Sequence, residues 1–67
     1  MIVLSVNGKE QRLEEPTRLL KYLDSLGVNL RTIAVGYNGT VLRRDELSGV
    51  TLSNGDRVEI VRAVGGG

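Results

Sequence analysis

Apolar residues repeat with a period of two near both ends of the chain and with a helical period between them. Ile2, Leu4 and Val6 alternate with Val3 and Ser5, which predicts a strand over residues 2–6 with one strongly apolar face. Asn7-Gly8 follows, a pair that tolerates the positive φ of a tight hairpin turn. Lys9 to Leu13 is then a polar return strand, and its polarity predicts one open face or an edge position. Glu14-Glu15-Pro16-Thr17 breaks the pattern, with Thr17 as candidate helix N-cap. Leu19, Leu20, Leu23 and Leu26 fall at i, i+1, i+4 and i+7, the stripe of an amphipathic helix over residues 18–26, with Gly27 suited to the left-handed position after its end. Ile33 to Tyr37 alternates large side chains against Ala34 and Gly36 and predicts another strand. Asn38-Gly39 is a second hairpin turn, and Thr40-Val41-Leu42 its short partner strand. Arg43 to Gly49 has room for one helical turn, with Leu47 tucked inward. Ser53-Asn54-Gly55-Asp56 is a dense turn cluster. Arg57 to Val64 is the last predicted strand, with Val58 and Ile60 on one face and Val61 and Ala63 on the other. Gly65, Gly66 and Gly67 end the sequence.

The predicted order is therefore β-β-α-β-β-β. A hairpin, one helix and further strands predict an α+β fold, a mixed sheet of four to five strands with the helix packed across it. The first and last strands are the most apolar, so they are expected side by side in its centre, the ubiquitin-like β-grasp arrangement. Residues 1–64 form the domain and residues 65–67 a flexible glycine tail. At 67 residues there is one domain with a thin core and little room for a deep pocket.

Composition removes several kinds of chemistry. The chain has no His and no Cys, so the commonest general base, the thiol nucleophile and the softest metal ligands are missing. A net charge of +1 is not that of a dedicated nucleic-acid binder. No apolar run approaches a membrane span, and the N-terminus lacks the basic start of a signal peptide. No nucleic-acid or membrane partner is expected, and the expected location is the cytoplasm.

The tail allows two readings. It is a frayed end, or it is built to enter a narrow partner site that closes around a chain without Cβ atoms. Glycine leaves the carbonyl carbon of Gly67 sterically open, and a β-grasp domain projects its C-terminus straight from a central strand.

Ile33-Ala34-Val35-Gly36-Tyr37-Asn38-Gly39 resembles the middle strand and turn of the sulfur carriers of thiamine biosynthesis. The stretch from Asn54-Gly55-Asp56-Arg57 through Val64-Gly65-Gly66-Gly67 resembles their last strand and tail, and Val6-Asn7-Gly8 their first turn. Two departures are Leu42, where a proline often precedes the arginine, and the extra Gly65. The small subunit of molybdopterin synthase is similar in fold and tail. The resemblance implies that Gly67 is adenylated with ATP by a ubiquitin-activating-type (ThiF-type) partner, with Gly65 and Gly66 entering that partner's site. A sulfur donor, ultimately a persulfide enzyme, then leaves a thiocarboxylate, and thiazole synthase (ThiG-type) takes the sulfur. It implies that the chain is a carrier and no enzyme, holds no cofactor or metal, and leaves ATP and magnesium to its partner. Carriers for molybdopterin or transfer-RNA thiolation, and a ubiquitin-like interaction module whose tail is never activated, are the alternatives.

Several side chains carry paired readings. Ala34, Gly36, Val61 and Ala63, with Arg62 beside them, form an open partner face or are covered by a loop. Gly36 also suits close strand packing. Arg43, Arg44, Arg57 and Arg62 meet an acidic partner or are solvated charges. Tyr37 is expected at the sheet edge. Glu14-Glu15 and Asp45-Glu46 are read as solvated, not as an acid/base pair or magnesium site.

Overall fold

Alternation at the N-terminus becomes strand β1, Ile2–Val6, whose Ile2, Leu4 and Val6 are buried while Val3 and Ser5 are half-buried. The computed structural model describes residues 1–62. Asn7 (φ 53°) and Gly8 (φ 80°) turn the chain directly into β2, Lys9–Leu13, with Val6 opposite Lys9. Asn38 (φ 50°) and Gly39 (φ 90°) do the same between β4, Ile33–Tyr37, and β5, Thr40–Leu42. Both turns need two consecutive left-handed residues, which is why each is built from Asn-Gly.

The expected central pairing is present. The last strand, β7, covers Arg57–Arg62 and lies between β1 and β4 in a sheet of order β2-β1-β7-β4-β5. It runs parallel to β1 and antiparallel to β4. This is the α+β, β-grasp plan read from the sequence.

Helix α1 spans Leu19–Ser25 and packs Leu19, Tyr22 and Leu23 onto the inner sheet face. The predicted stripe is corrected at its end, because Tyr22 is buried whereas Leu26 is 47% exposed. The helix stops at Ser25, so Leu26 is its C-cap and turns outward. Gly27 follows with φ 73°, as its position predicts.

Thr17 does not cap the helix. It forms with Arg18 the short strand β3, paired with β6, Thr51–Leu52. Its hydroxyl donates to the Glu15 carbonyl at 3.0 Å. The first orphan amide of the helix, that of Leu19, donates instead to the Val50 carbonyl at 3.0 Å. The Arg18 guanidinium reaches the Ser48 carbonyl at 3.1 Å, tying the same loop to the helix start.

Arg44–Gly49 forms a 3₁₀ helix with Leu47 buried as expected, but its six residues make two tight turns where the sequence suggests one. Glu46 Oε1 accepts from the Arg43 N–H at 2.7 Å and closes its start. Leu19, Leu23, Leu52, Val35 and Val58 are the largest fully buried side chains. Full burial of such a side chain contributes about 1.5–3 kcal/mol. Among the described residues no helix is long and apolar enough to cross a membrane.

Candidate functional site

β7 leads toward the glycine tail, so what holds β7 decides where that tail starts. Side chains from three turns converge on β1 and β7. Asn7 lies beyond the end of β1, and its Oδ1 accepts from the Ile60 N–H at 2.7 Å. Asn38, in the other hairpin turn, accepts from the Arg57 N–H through its Oδ1 at 2.8 Å. Asn54 Oδ1 accepts from the Val3 N–H at 2.8 Å. Each asparagine therefore makes a turn and completes a strand ladder at once.

Asp56 binds the turn before β7 to β4. Its Oδ2 accepts from the Tyr37 hydroxyl at 2.6 Å and from the Ser53 N–H at 2.8 Å. Its Oδ1 accepts from Asn38 Nδ2 at 3.2 Å. Tyr37 is thus not at the sheet edge, since β4 is flanked by β7 and β5. Partial burial pushes the Asp56 carboxyl up, but the hydrogen bonds from Tyr37, Ser53 and Asn38 outweigh it and leave its pKa lowered. The Tyr37 pKa is raised by its bond to Asp56, then by burial and by the Asp56 charge.

A pH dependence follows from these directions. Asp56 contributes stability above the ordinary carboxyl range, and this is lost as pH falls through its lowered pKa. Tyr37 contributes stability below its ordinary value of 10.0, lost as pH rises through its raised one. In Asp56→Asn the urea midpoint should fall less between about pH 6 and pH 2 than it does in the wild type. Equal acid losses in the two proteins would show that Asp56 does not drive this limb.

The structure divides the residues singled out from the sequence between two faces. Ala34 lies opposite Val61, and Gly36 is flanked by Val41 and Glu59. These residues share the face away from the helix. They surround a shallow depression of about 190 Å³ whose floor lacks a side chain at Gly36. Val41 is 72% and Val61 56% exposed, so among the described residues no loop covers them. Arg62, paired with Ile33, points to the opposite face and lies beside Tyr22, Leu26 and Val28. It does not join Ala34, Gly36 and Val61. Ala63, Val64 and the glycines Gly65, Gly66 and Gly67 lie outside the described residues.

Arg43, Arg44 and Arg57 are all exposed. Arg43 makes an exposed contact to Asp45 at 3.9 Å, of a kind that contributes little to stability. Glu14 and Glu15 are exposed, while Glu46 serves as a backbone acceptor. Among the described residues no three carboxylates gather in a group that would hold a metal ion. The sequence reading treated Asn7, Asn38, Asn54 and Asp56 only as turn formers. The signal that could have revealed more is the position of each, within two residues of a strand end, with a short side chain bearing an acceptor oxygen.

Comparison with known proteins covers nearly all of the chain. Residues 4–67 match the model of the ThiS family. Over 64 residues the chain is 33% identical to a thiazole synthase of Paramagnetospirillum magneticum, a stretch that is 96% of this chain and 20% of that protein. It is 33% identical over 66 residues to the uncharacterised protein ycf40 of Porphyra purpurea, covering 98% of this chain and 93% of that one. The crystal structure of a thiamine biosynthesis protein, ThiS, from Geobacter metallireducens superposes with a TM-score of 0.86 at 33% identity, over 98% of this chain and 100% of that one. A solution structure of a thiamine biosynthesis protein from the same organism gives 0.78 at 33% identity, over 98% and 88%.

Proposed function

The chain belongs to the ThiS family, and from that premise we propose that it is a sulfur carrier of thiamine biosynthesis whose reactive group is the carboxylate of Gly67. The observation that carries this reading is the family match across residues 4–67, which takes in Gly65, Gly66 and Gly67. The thiazole synthase similarity supports the same pathway.

The chemistry sets what a carrier must supply. A carboxylate is a poor electrophile, so it needs a better leaving group before sulfur can replace oxygen. In this reading a ubiquitin-activating-type partner binds ATP and magnesium. The Gly67 carboxylate attacks the α-phosphorus, pyrophosphate leaves and an acyl-adenylate forms. A persulfide of the donor then attacks the acyl carbon and displaces AMP, giving an acyl disulfide. A second thiol attacks the donor-side sulfur, forming a disulfide and releasing the thiocarboxylate, which delivers its sulfur to a thiazole synthase. The chain itself is acted upon. It contributes a docking surface, which we assign to the exposed Val41 and Val61 beside Ala34 and Gly36, and a thin tail that enters the partner's site. Binding energy on the domain positions the tail for chemistry done by others.

The test is the intact mass after incubation with an adenylating partner, ATP and a sulfur donor. The expected result is a gain equal to replacing one oxygen by one sulfur, confined to the peptide that ends at Gly67. An unchanged mass, with the partner shown active on another carrier, would overturn the reading in favour of an interaction module that is never activated.

A further inference from the structure

β1 ends at Val6, yet β7 continues to Arg62. In the parallel ladder between them, the Ser5 N–H donates to the Asp56 carbonyl and the Asn7 N–H to the Val58 carbonyl, both at 2.9 Å. A straight β1 would next offer the main-chain carbonyl of residue 7 to the Ile60 N–H. That carbonyl is turned away, because Asn7 has φ 53° and begins the hairpin turn. The side chain supplies the missing acceptor, with Oδ1 at 2.7 Å from the Ile60 nitrogen.

We infer that Asn7 is a positioning residue for the carrier reaction: its side-chain oxygen extends the β1–β7 ladder by one rung beyond the turn and so fixes the direction in which β7 delivers the tail. This rests on the carrier reading above. Asn7 lies at the opposite end of the sequence from the reacting group, and nothing requires it to touch a partner. Asn38 makes the matching bond at the start of β7, to the Arg57 N–H. That bond is five residues upstream of Arg62, whereas Ile60 is two residues from it. The two asparagines therefore separate general support of the strand from control of its exit.

Asn7→Gly removes the acceptor while keeping the left-handed turn and the main-chain bond to Val58. Asn7→Asp keeps both the turn and an acceptor oxygen. The readouts are hydrogen exchange at the Ile60 amide and the steady-state kinetics of adenylate formation with an adenylating enzyme and ATP. In Asn7→Gly, Ile60 exchange should rise roughly tenfold. kcat should fall about tenfold with KM for the carrier unchanged, since docking is intact and only the aim of the tail is lost. Asn7→Asp should restore both values. Asn38→Gly should lower the urea midpoint and leave kcat at the wild-type value. An Asn7→Gly protein with wild-type kcat overturns the assignment, as does an equal loss of kcat in Asn38→Gly, which would mark a purely structural effect. A wild type that the enzyme does not adenylate overturns the carrier reading and this assignment with it. An active wild type with an unaffected Asn7→Gly overturns this assignment alone.

Discussion

Deleting Gly66 and Gly67 is expected to abolish thiocarboxylate formation while moving Tm by no more than about 1 °C. The core residues described lie between Ile2 and Ile60, so the deletion removes none of them. The shortened chain still ends in a glycine carboxylate, that of Gly65. What it loses is reach, at most about 7 Å for two residues of extended chain. Because the terminal chemistry is kept, loss of activity reads the distance from the domain to the partner's reacting centre. Mass spectrometry of wild type and truncated chain, treated side by side, makes the measurement. Conversion of the truncated chain at the wild-type rate would remove the tail's length from the mechanism.

Leu23→Ala is expected to take the domain close to its unfolding threshold. Leu23 is fully buried between α1 and the sheet. Truncating a buried leucine costs about 2–5 kcal/mol. A domain of 67 residues has roughly 3–10 kcal/mol in total. Leu26→Ala should cost under about 1 kcal/mol, because that side chain is 47% exposed at the helix end. Urea midpoints of the two variants compare the packing directly. Equal losses would mean that Leu26 packs as deeply as Leu23, as the full leucine stripe of the sequence predicts.

The strands could be read from the sequence because two independent signals agreed on them. At Ile2–Val6 and Ile33–Tyr37 the period-two alternation coincides with an Asn-Gly turn that fixes where each strand ends. The central place of β7 followed from apolar positions on both of its faces. The helix was legible in kind and less so in face. Its stripe assumed that the helix reaches Leu26, and a seven-residue helix ends one residue earlier. The β3–β6 pair gave no warning, since two residues carry no period, and Thr17 was assigned the commoner role of cap. On the open face, Ala34, Gly36 and Val61 were grouped correctly by alternation, whereas Arg62 is one residue out of phase and faces the helix side. The Asp56 cluster was hidden for a different reason. Its partners Tyr37 and Asn38 stand 19 and 18 residues away, and no local pattern links them to a turn.

The central position of β7 also orders events during synthesis. β7 separates β1 from β4, and its Val58 is fully buried. A nascent chain that has not yet released residues 57–62 holds two hairpins with nothing between them, so the five-stranded sheet cannot close. The pairing of β1 with β7 spans nearly the whole sequence, a high-contact-order step that comes late in folding. Interrupted translation products therefore lack both the central strand and the tail, leaving apolar strand faces exposed to proteases. A domain that has closed its sheet has therefore already been translated through Arg62.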